Sequence, residues 1–261
     1  FKMSDYNHGD RNFDDLAEKF ARKVYGGLKG EIRLAVVWRD LVASMPQILS
    51  GKPLRIIDIG GGLGQLSVKL AALGHKVVYN DLSQNMLACA QKLAEQESVM
   101  DDIIWHQCPY QDLLKNRLGT FDLVICHALI EWLAEPQLLL KSLNVLMTRN
   151  GRMSITFYNH NGLVYRNLIL GNFNVLKGQF SADPGSLTPH TPLKPELIDE
   201  WIGQLSIKVV HSSGIRVFHD YVTNLRGGHL DDAAVIDMEL KYSMLEPYKW
   251  LGRYMHYILR S

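Results

Sequence analysis

The segment Asp58-Ile59-Gly60-Gly61-Gly62-Leu63-Gly64 closes a short apolar run and opens onto a helical pattern. Glycine tolerates positive φ and lets a ligand lie against bare backbone, so a cluster at this place suits a nucleotide. Spacing separates the classes that share such loops. The dinucleotide fingerprint GxGxxG fails, since counted from Gly60 its last position falls on Gln65, and the phosphate loop GxxxxGK[ST] is absent. What stands is Asp-x-Gly-x-Gly-x-Gly. Asp81 ends the next apolar run, 17 residues past Gly64. In a doubly wound sheet an acid there accepts hydrogen bonds from ribose hydroxyls, each charge-assisted and worth roughly 1.5–3 kcal/mol. The other use of Asp81 is as a helix N-cap, but Ser83 is an equally good cap and leaves Asp81 for the ribose. His127 directly follows the fourth apolar run. A lone histidine is more often structural, but this one falls at the switch-point crevice, where ligands bind.

The elements that must position these residues read as alternating strands and helices. Candidate strands are Leu54–Ile59, Lys76–Asn80, Ile103–His106, Phe121–Cys126 and Arg152–Tyr158, with helices at Gln65–Leu73, Ser83–Glu97 and Pro136–Leu146 between them. Near-continuous apolar strands alternating with helices imply a parallel sheet covered on both faces. From Asp14 to about Met45, Leu16, Phe20, Val24 and then Ile32, Val36, Val37 and Leu41 recur at helical spacing, with Gly26-Gly27 as a break. From Asn159 to about Pro195 glycines and prolines disrupt the rhythm, as in a helical insertion followed by a long surface loop. A helix at about Glu196–Leu205, strand-like Ile207–His211 and Ile215–Phe218, a helix at about Leu230–Met244 and a strand at Tyr254–Leu259 follow. The expected fold is α/β and doubly wound. Its sheet has seven mostly parallel strands with the last antiparallel. Residues 1–45 form a helical cap on the same domain, and 46–261 form the main body with an insertion at about 159–195.

The chain has 261 residues, 47% of them hydrophobic, enough for one full core. Its 28 basic and 27 acidic residues give a net charge of +1, which neither announces nor excludes a nucleic-acid binder, because a local basic patch hides in a neutral total. Cys89, Cys108 and Cys126 are widely spaced, which argues against both a disulfide framework and a zinc site and for reduced thiols in a cytoplasm. No stretch reaches the ~18 apolar residues of a membrane span, and Phe1 to Gly9 lacks the apolar core of a signal peptide. Neither a membrane nor a metal is expected.

Asp81-Leu82-Ser83-Gln84-Asn85-Met86-Leu87-Ala88-Cys89-Ala90 and His127-Ala128-Leu129-Ile130-Glu131-Trp132, in order behind the glycine loop, resemble the cofactor segments of class I S-adenosylmethionine-dependent methyltransferases. The resemblance implies that S-adenosylmethionine is the cofactor. Gly60 and Gly61 then lie under its methionine part, Asp81 holds the ribose, Tyr110 and Gln111 contact the adenine, and His127 lies beside the cofactor; Asp58, Gly62 and Leu82 belong to the same set. Cys108-Pro109 reverses the Pro-Cys pair of cytosine C5 methyltransferases, so Cys108 reads as a buried thiol. No Asn/Asp-Pro-Pro-Tyr/Phe segment follows the fourth strand, so methylation of base amino groups is not supported.

Asp10-Arg11-Asn12-Phe13-Asp14-Asp15, Ala17-Glu18-Lys19-Phe20, Tyr25-Gly26 through Lys29-Gly30 and Arg33 resemble the start of the bacterial tRNA carboxymethoxyuridine methyltransferase family. Phe157-Tyr158-Asn159 with Gly162, Gly171-Asn172-Phe173, the run Gly214 to Tyr221, Glu246-Pro247-Tyr248 and Leu251-Gly252-Arg253-Tyr254 continue the likeness over nearly the whole chain. That family esterifies the carboxylate of carboxymethoxyuridine at the tRNA wobble position. A carboxylate with a reference pKa near ~4 is already ionised at neutral pH and needs no general base. Holding its oxygen in line with the methyl, at about 3 Å, is the main task. No catalytic dyad is therefore expected, and Tyr158 is the one candidate near the reacting groups.

By the same resemblance Arg33 reaches the methionine carboxylate, where a planar fork is apt. Lys19, Arg22 and Lys23 make one basic helix face which, with Lys29, is either plain solvated surface or a contact to phosphates of the anticodon stem-loop. Arg216, His219 and Tyr221, with Phe218 between, suit an unpaired, splayed base. One departure stands out: 178–195 reads GQFSADPGSLTPHTPLKP, with Lys194 and His190 as its possible cations, where the family carries a lysine-rich stretch. Two rival readings are a methyltransferase for a small-molecule acid or quinone, and a module that senses S-adenosylmethionine without catalysis.

Overall fold

The structure, a computed structural model, describes residues 27–177 and 192–261. The expected first helix with Lys19, Arg22 and Lys23, and most of the loop 178–195, lie outside the described residues.

Helix α1 (Gly27–Ser44) buries Ile32, Arg33, Val36, Val37, Asp40 and Leu41, one stripe at helical spacing, and stops before Pro46, whose ring forbids a continuing helix. There follow β1 (Arg55–Ile59), α2 (Gln65–Ala72), β2 (Lys76–Asp81), α3 (Gln84–Gln96), β3 (Ile103–Gln107), the short α4 (Tyr110–Leu113), β4 (Phe121–His127), α5 (Pro136–Leu146) and β5 (Met147–Tyr158). The insertion supplies α6 (His160–Ile169) and α7 (Phe173–Leu176), and α8 (Pro195–Gly203), β6 (Lys208–Ile215), α9 (Asp232–Tyr242) and β7 (Tyr254–Arg260) complete the fold.

The seven strands lie in the order β3-β2-β1-β4-β5-β7-β6. The β1–β4 and β1–β2 pairs are parallel, and β7 runs antiparallel to both β5 and β6. Alternate residues of each strand feed opposite faces. Ile56, Leu123, Ile125 and Ile258 pack with α1, α2 and α3, whereas Ile57, Val124, Cys126 and Leu259 pack with α5 and α8. The fold is the expected α/β doubly wound sheet with one antiparallel strand. Strand order reverses between β1 and β4, so their carboxyl ends bound the crevice where such folds hold ligands.

One expected strand is absent. Residues Ile207–His211 and Ile215–Phe218 read as two strands, but the structure has a single one that ends at Ile215. Arg216 takes a left-handed φ of 59°, which turns the chain out of the sheet. The amides of Val217, Phe218 and His219 then bond the Glu239 carboxylate of α9 in place of a ladder partner. No helix among the described residues is long and apolar enough to cross a membrane.

Candidate active site

The glycine loop is held from below by β2. The amide of Gly61 donates to the Asn80 carbonyl at 2.9 Å, that of Gly62 donates to Asp81 Oδ2 at 2.9 Å, and the Tyr79 hydroxyl donates to the Gly62 carbonyl. Two glycines have no substitute here. Gly60 has φ +69°, and a Cβ on Gly61 would stand 2.5 Å from the Tyr79 ring. A pocket opens above the loop, lined among others by Arg33, Asp58, Gly60, Gly61, Gln65 and His127. The Gln65 Oε1 is buried there without a hydrogen-bond partner.

Charge in this pocket is set by burial. Asp58 accepts a 2.6 Å bond from Ser67 Oγ. Desolvation pushes its carboxyl up to about 6, and the Asp81 charge adds to this against the Ser67 bond and the Arg33 guanidinium. Arg33 is buried and also lies over the Tyr254 ring, 5.6 Å from its centroid. His127 bonds Ser154 Oγ through Nε2 at 2.8 Å, and burial, then His256 and Arg33, push the ring well below its ordinary pKa. Glu131 is buried, its carboxylate oxygens meet backbone amides only at poor hydrogen-bond geometry, and burial pushes it up to about 8.

Tyr254 links this pocket to a second polar corner. Arg216 also lies 5.6 Å from its ring centroid, and Arg253 lies 4.8 Å from that of Tyr158. Lys29, Arg216 and Arg253 face one carboxylate, Asp220, at 3.7, 3.5 and 3.9 Å. Arg216 is buried, and its Nε lacks a hydrogen-bond partner. The Tyr158 hydroxyl is likewise buried and unpartnered, and desolvation pushes it up to about 12, so it is a neutral donor. With Glu131 held as a neutral acid below about pH 8, the corner has surplus positive charge and two unmet donors. That chemistry suits an anion.

The crevice thus gathers Arg33, Asp58, Gly60, Gly61 and His127 around one pocket, with Gly62 and Asp81 in the loop's support. Leu82 is half-buried between Asp81 and Ser83, and Ser83 caps α3 as expected, its Oγ accepting from Met86. Asp81 Oδ1 accepts from the Ser83 amide at 2.9 Å, so the carboxylate braces both the glycine loop and the start of α3. Tyr110 is buried in the core beneath β2, with Gln111 next to it half-buried. Arg216, Tyr158 and Lys29 meet at Asp220 or Tyr254, with His219 at the margin. Tyr221 spends its hydroxyl on the Leu251 carbonyl and its ring on Tyr165, so it braces α6. Glu131, Asp220, Arg253 and Tyr254 stand inside segments that carry the family resemblance, yet no spacing assigns them a role. Glu239, Asp40, Ser154 and His256 have no local signal, because only the fold brings them to the site.

The Methyltransferase domain family matches residues 57–155, from β1 into β5. The chain is 36% identical over 253 residues to the tRNA 5-carboxymethoxyuridine methyltransferase of Escherichia coli K12, covering 97% of each protein. It is 27% identical over 167 residues to a ubiquinone biosynthesis O-methyltransferase of Acinetobacter baylyi, covering 64% of this chain and 68% of that one. Among solved structures, magnesium protoporphyrin IX methyltransferase from Synechocystis PCC 6803 with bound SAH aligns at a TM-score of 0.62 and 18% identity, covering 95% of this chain and 96% of that one, which bears on the fold alone. The crevice fits S-adenosylmethionine, whose methionine end asks for a guanidinium, carboxylate and carbonyl acceptors and a loop without Cβ atoms. The chain therefore belongs to the tRNA 5-carboxymethoxyuridine methyltransferase family and is an S-adenosylmethionine-dependent methyltransferase.

Proposed function

We propose that the protein transfers a methyl group to the carboxylate of carboxymethoxyuridine at the tRNA wobble position, forming the methyl ester. The observation that carries this reading is Arg216: a buried arginine at positive φ, with an unpartnered Nε, in a corner richer in cations than in ionised carboxylates. Non-glycine residues at positive φ cost of order 1–3 kcal/mol and cluster where a ligand is gripped. S-adenosylmethionine, when bound, supplies the electrophilic methyl. Arg33 then holds the methionine carboxylate, Gly60 to Gly62 and Asp58 enclose that end, Asp81 and Leu82 take the ribose, and Tyr110 backbone with Gln111 flanks the adenine. Arg216 and the Tyr158 hydroxyl orient the acceptor carboxylate. They donate to the oxygen that does not attack, since bonding the other would blunt it. His219 flanks the splayed base, with Tyr221 behind it bracing α6 rather than stacking on the base, while Lys29, with Arg22 and Lys23, meets phosphates of the anticodon stem-loop. The setting is the cytoplasm.

A quinone-type acceptor would need a base to take a phenolic proton. The corner's own carboxylate, Asp220, is faced by Lys29, Arg216 and Arg253, and the surplus of guanidiniums over carboxylates favours an acceptor already ionised. Nucleoside mass spectrometry of bulk tRNA from a strain lacking the protein tests this. The expected result is loss of the ester with retention of the free acid, recovery on return of the gene, and little recovery with Arg216→Lys, which cannot form the planar fork. An unchanged ester peak in the deletion strain would falsify the tRNA assignment.

A further inference from the structure

Behind His127 runs a buried chain of hydrogen bonds that methyl transfer to a carboxylate does not itself require. Asp40 of α1 accepts from His256 Nδ1 at 2.8 Å. His256 Nε2 lies 2.8 Å from Ser154 Oγ, and that oxygen lies 2.8 Å from His127 Nε2. Asp40, Ser154 and His256 are fully buried. Asp40 also accepts from Arg39 Nε at 2.9 Å and faces His211 Nε2 at 2.9 Å. Burial opposes ionisation of Asp40, but the bonds from His211 and His256 together with the neighbouring positive charge, Arg39 included, outweigh it and hold the carboxyl far below its usual range.

Proton counting gives this chain a direction. An ionised Asp40 only accepts, so the proton between it and His256 sits on Nδ1. With Arg39 already paired to Asp40, a singly protonated His256 completes the network as the Nδ1–H tautomer, and its Nε2 lone pair then accepts. Ser154 has one proton and must give it to that lone pair. Its oxygen then accepts from His127, which fixes the proton of His127 on Nε2. The ring lines the cofactor pocket, and Nδ1 is the nitrogen outside the chain.

We propose that Asp40, acting through His256 and Ser154, is a positioning residue that locks His127 as its Nε2–H tautomer and so presents an Nδ1 lone pair to the ammonium of the cofactor's methionine. An ammonium has three donors and no acceptor, and the pocket that supplies Arg33 for the neighbouring carboxylate must supply acceptors for it. This rests on the reading that the methionine end lies in this pocket.

The test uses full-length protein labelled with 15N-histidine and long-range 1H–15N correlation without cofactor. His127 is expected as the Nε2–H form. Asp40→Asn, which can turn an amide N–H toward His256, is expected to reverse the chain and move His127 to Nδ1–H. Ser154→Ala breaks the chain without touching the Asp40 cluster and is expected to give mixed tautomers. In calorimetry Ser154→Ala is expected to weaken S-adenosylhomocysteine by about three- to tenfold, and to leave unchanged an analogue with hydrogen in place of the amino group. A native His127 protonated on Nδ1, a tautomer indifferent to both substitutions, or equal loss for the two ligands overturns the proposal. Unchanged S-adenosylhomocysteine affinity in Arg33→Ala would instead overturn the pocket assignment, and the ligand half of the proposal with it, while the tautomer result stands apart.

Discussion

Glu131 is 4% exposed, and its carboxyl is held up to about 8 by burial, against the Arg33 charge and nearby backbone amides. A folded-state pKa above the unfolded value means that the folded chain holds the proton longer. Below about pH 4.5 both states are protonated and nothing is lost. Between there and about pH 8 the unfolded carboxyl is ionised and the folded one is not, and stability falls by up to about 1.4 kcal/mol per pH unit. Glu131→Gln keeps the shape without the titration. It is expected to raise the melting temperature at pH 8 and to leave it nearly unchanged at pH 4.5; equal shifts at both values would show that the carboxyl is not perturbed. Residue identity alone does not expose such a group. Glu131 stands in the legible segment His127–Trp132, but its desolvation follows from the turn Ile130–Trp132 folding under Tyr254 and Arg33. Arg216 is similar: its type and place are legible, whereas its left-handed φ and unpartnered Nε are products of the chain leaving β6.

Among the elements, β1, β2 and β4 were legible because strands covered on both faces write themselves as unbroken apolar runs, whereas the edge strand β3 showed only through Ile103 to Trp105 and β5 only through its second half. Helix starts were legible where a cap or proline marks them, as Ser83 and Pro136 do. Beyond β5 the pattern misleads: Ile215–Phe218 is apolar and alternating enough for a strand, but Glu239 takes its amides and the segment becomes a loop over the site. Glu239 comes from a helix whose sequence position gives no hint of that service. The turn between β1 and α2 makes a firmer demand. Gly61→Ala puts a methyl group into the Tyr79 ring, and the loop must shift. Overpacking of this sort costs typically 1–3 kcal/mol, and the shift is expected to weaken S-adenosylhomocysteine at least tenfold in calorimetry. Full affinity would mean that the loop yields without moving the pocket.

At the scale of the whole molecule, a net charge of +1 conceals how charge is spread. The cations met so far line a crevice and suit one anionic group, whereas a tRNA stem-loop offers a row of phosphates. The N-terminal basic face is the place the sequence offers for that row. Charge removal at Arg22 and Lys23 is expected to lower the salt slope of tRNA binding by about one to two, with cofactor affinity unaltered. A slope that stays put would return that face to ordinary solvated surface. The long-range part of the site was illegible for a geometric reason: Asp40 and His256 meet across 216 residues of chain, and Ser154 and His256 across 102. No spacing rule spans such separations; the sheet order does, by sliding β7 between β5 and β6. That placement has a consequence for biosynthesis. A polypeptide that stops anywhere before residue 254 lacks the strand that brings Tyr254 to Arg33 and His256 to Ser154. It also leaves the edge of β5 bare, a template for pairing with other chains. Premature termination thus leaves Arg33 and Ser154 without those partners on an aggregation-prone sheet, and the crevice is not braced until translation has passed β7.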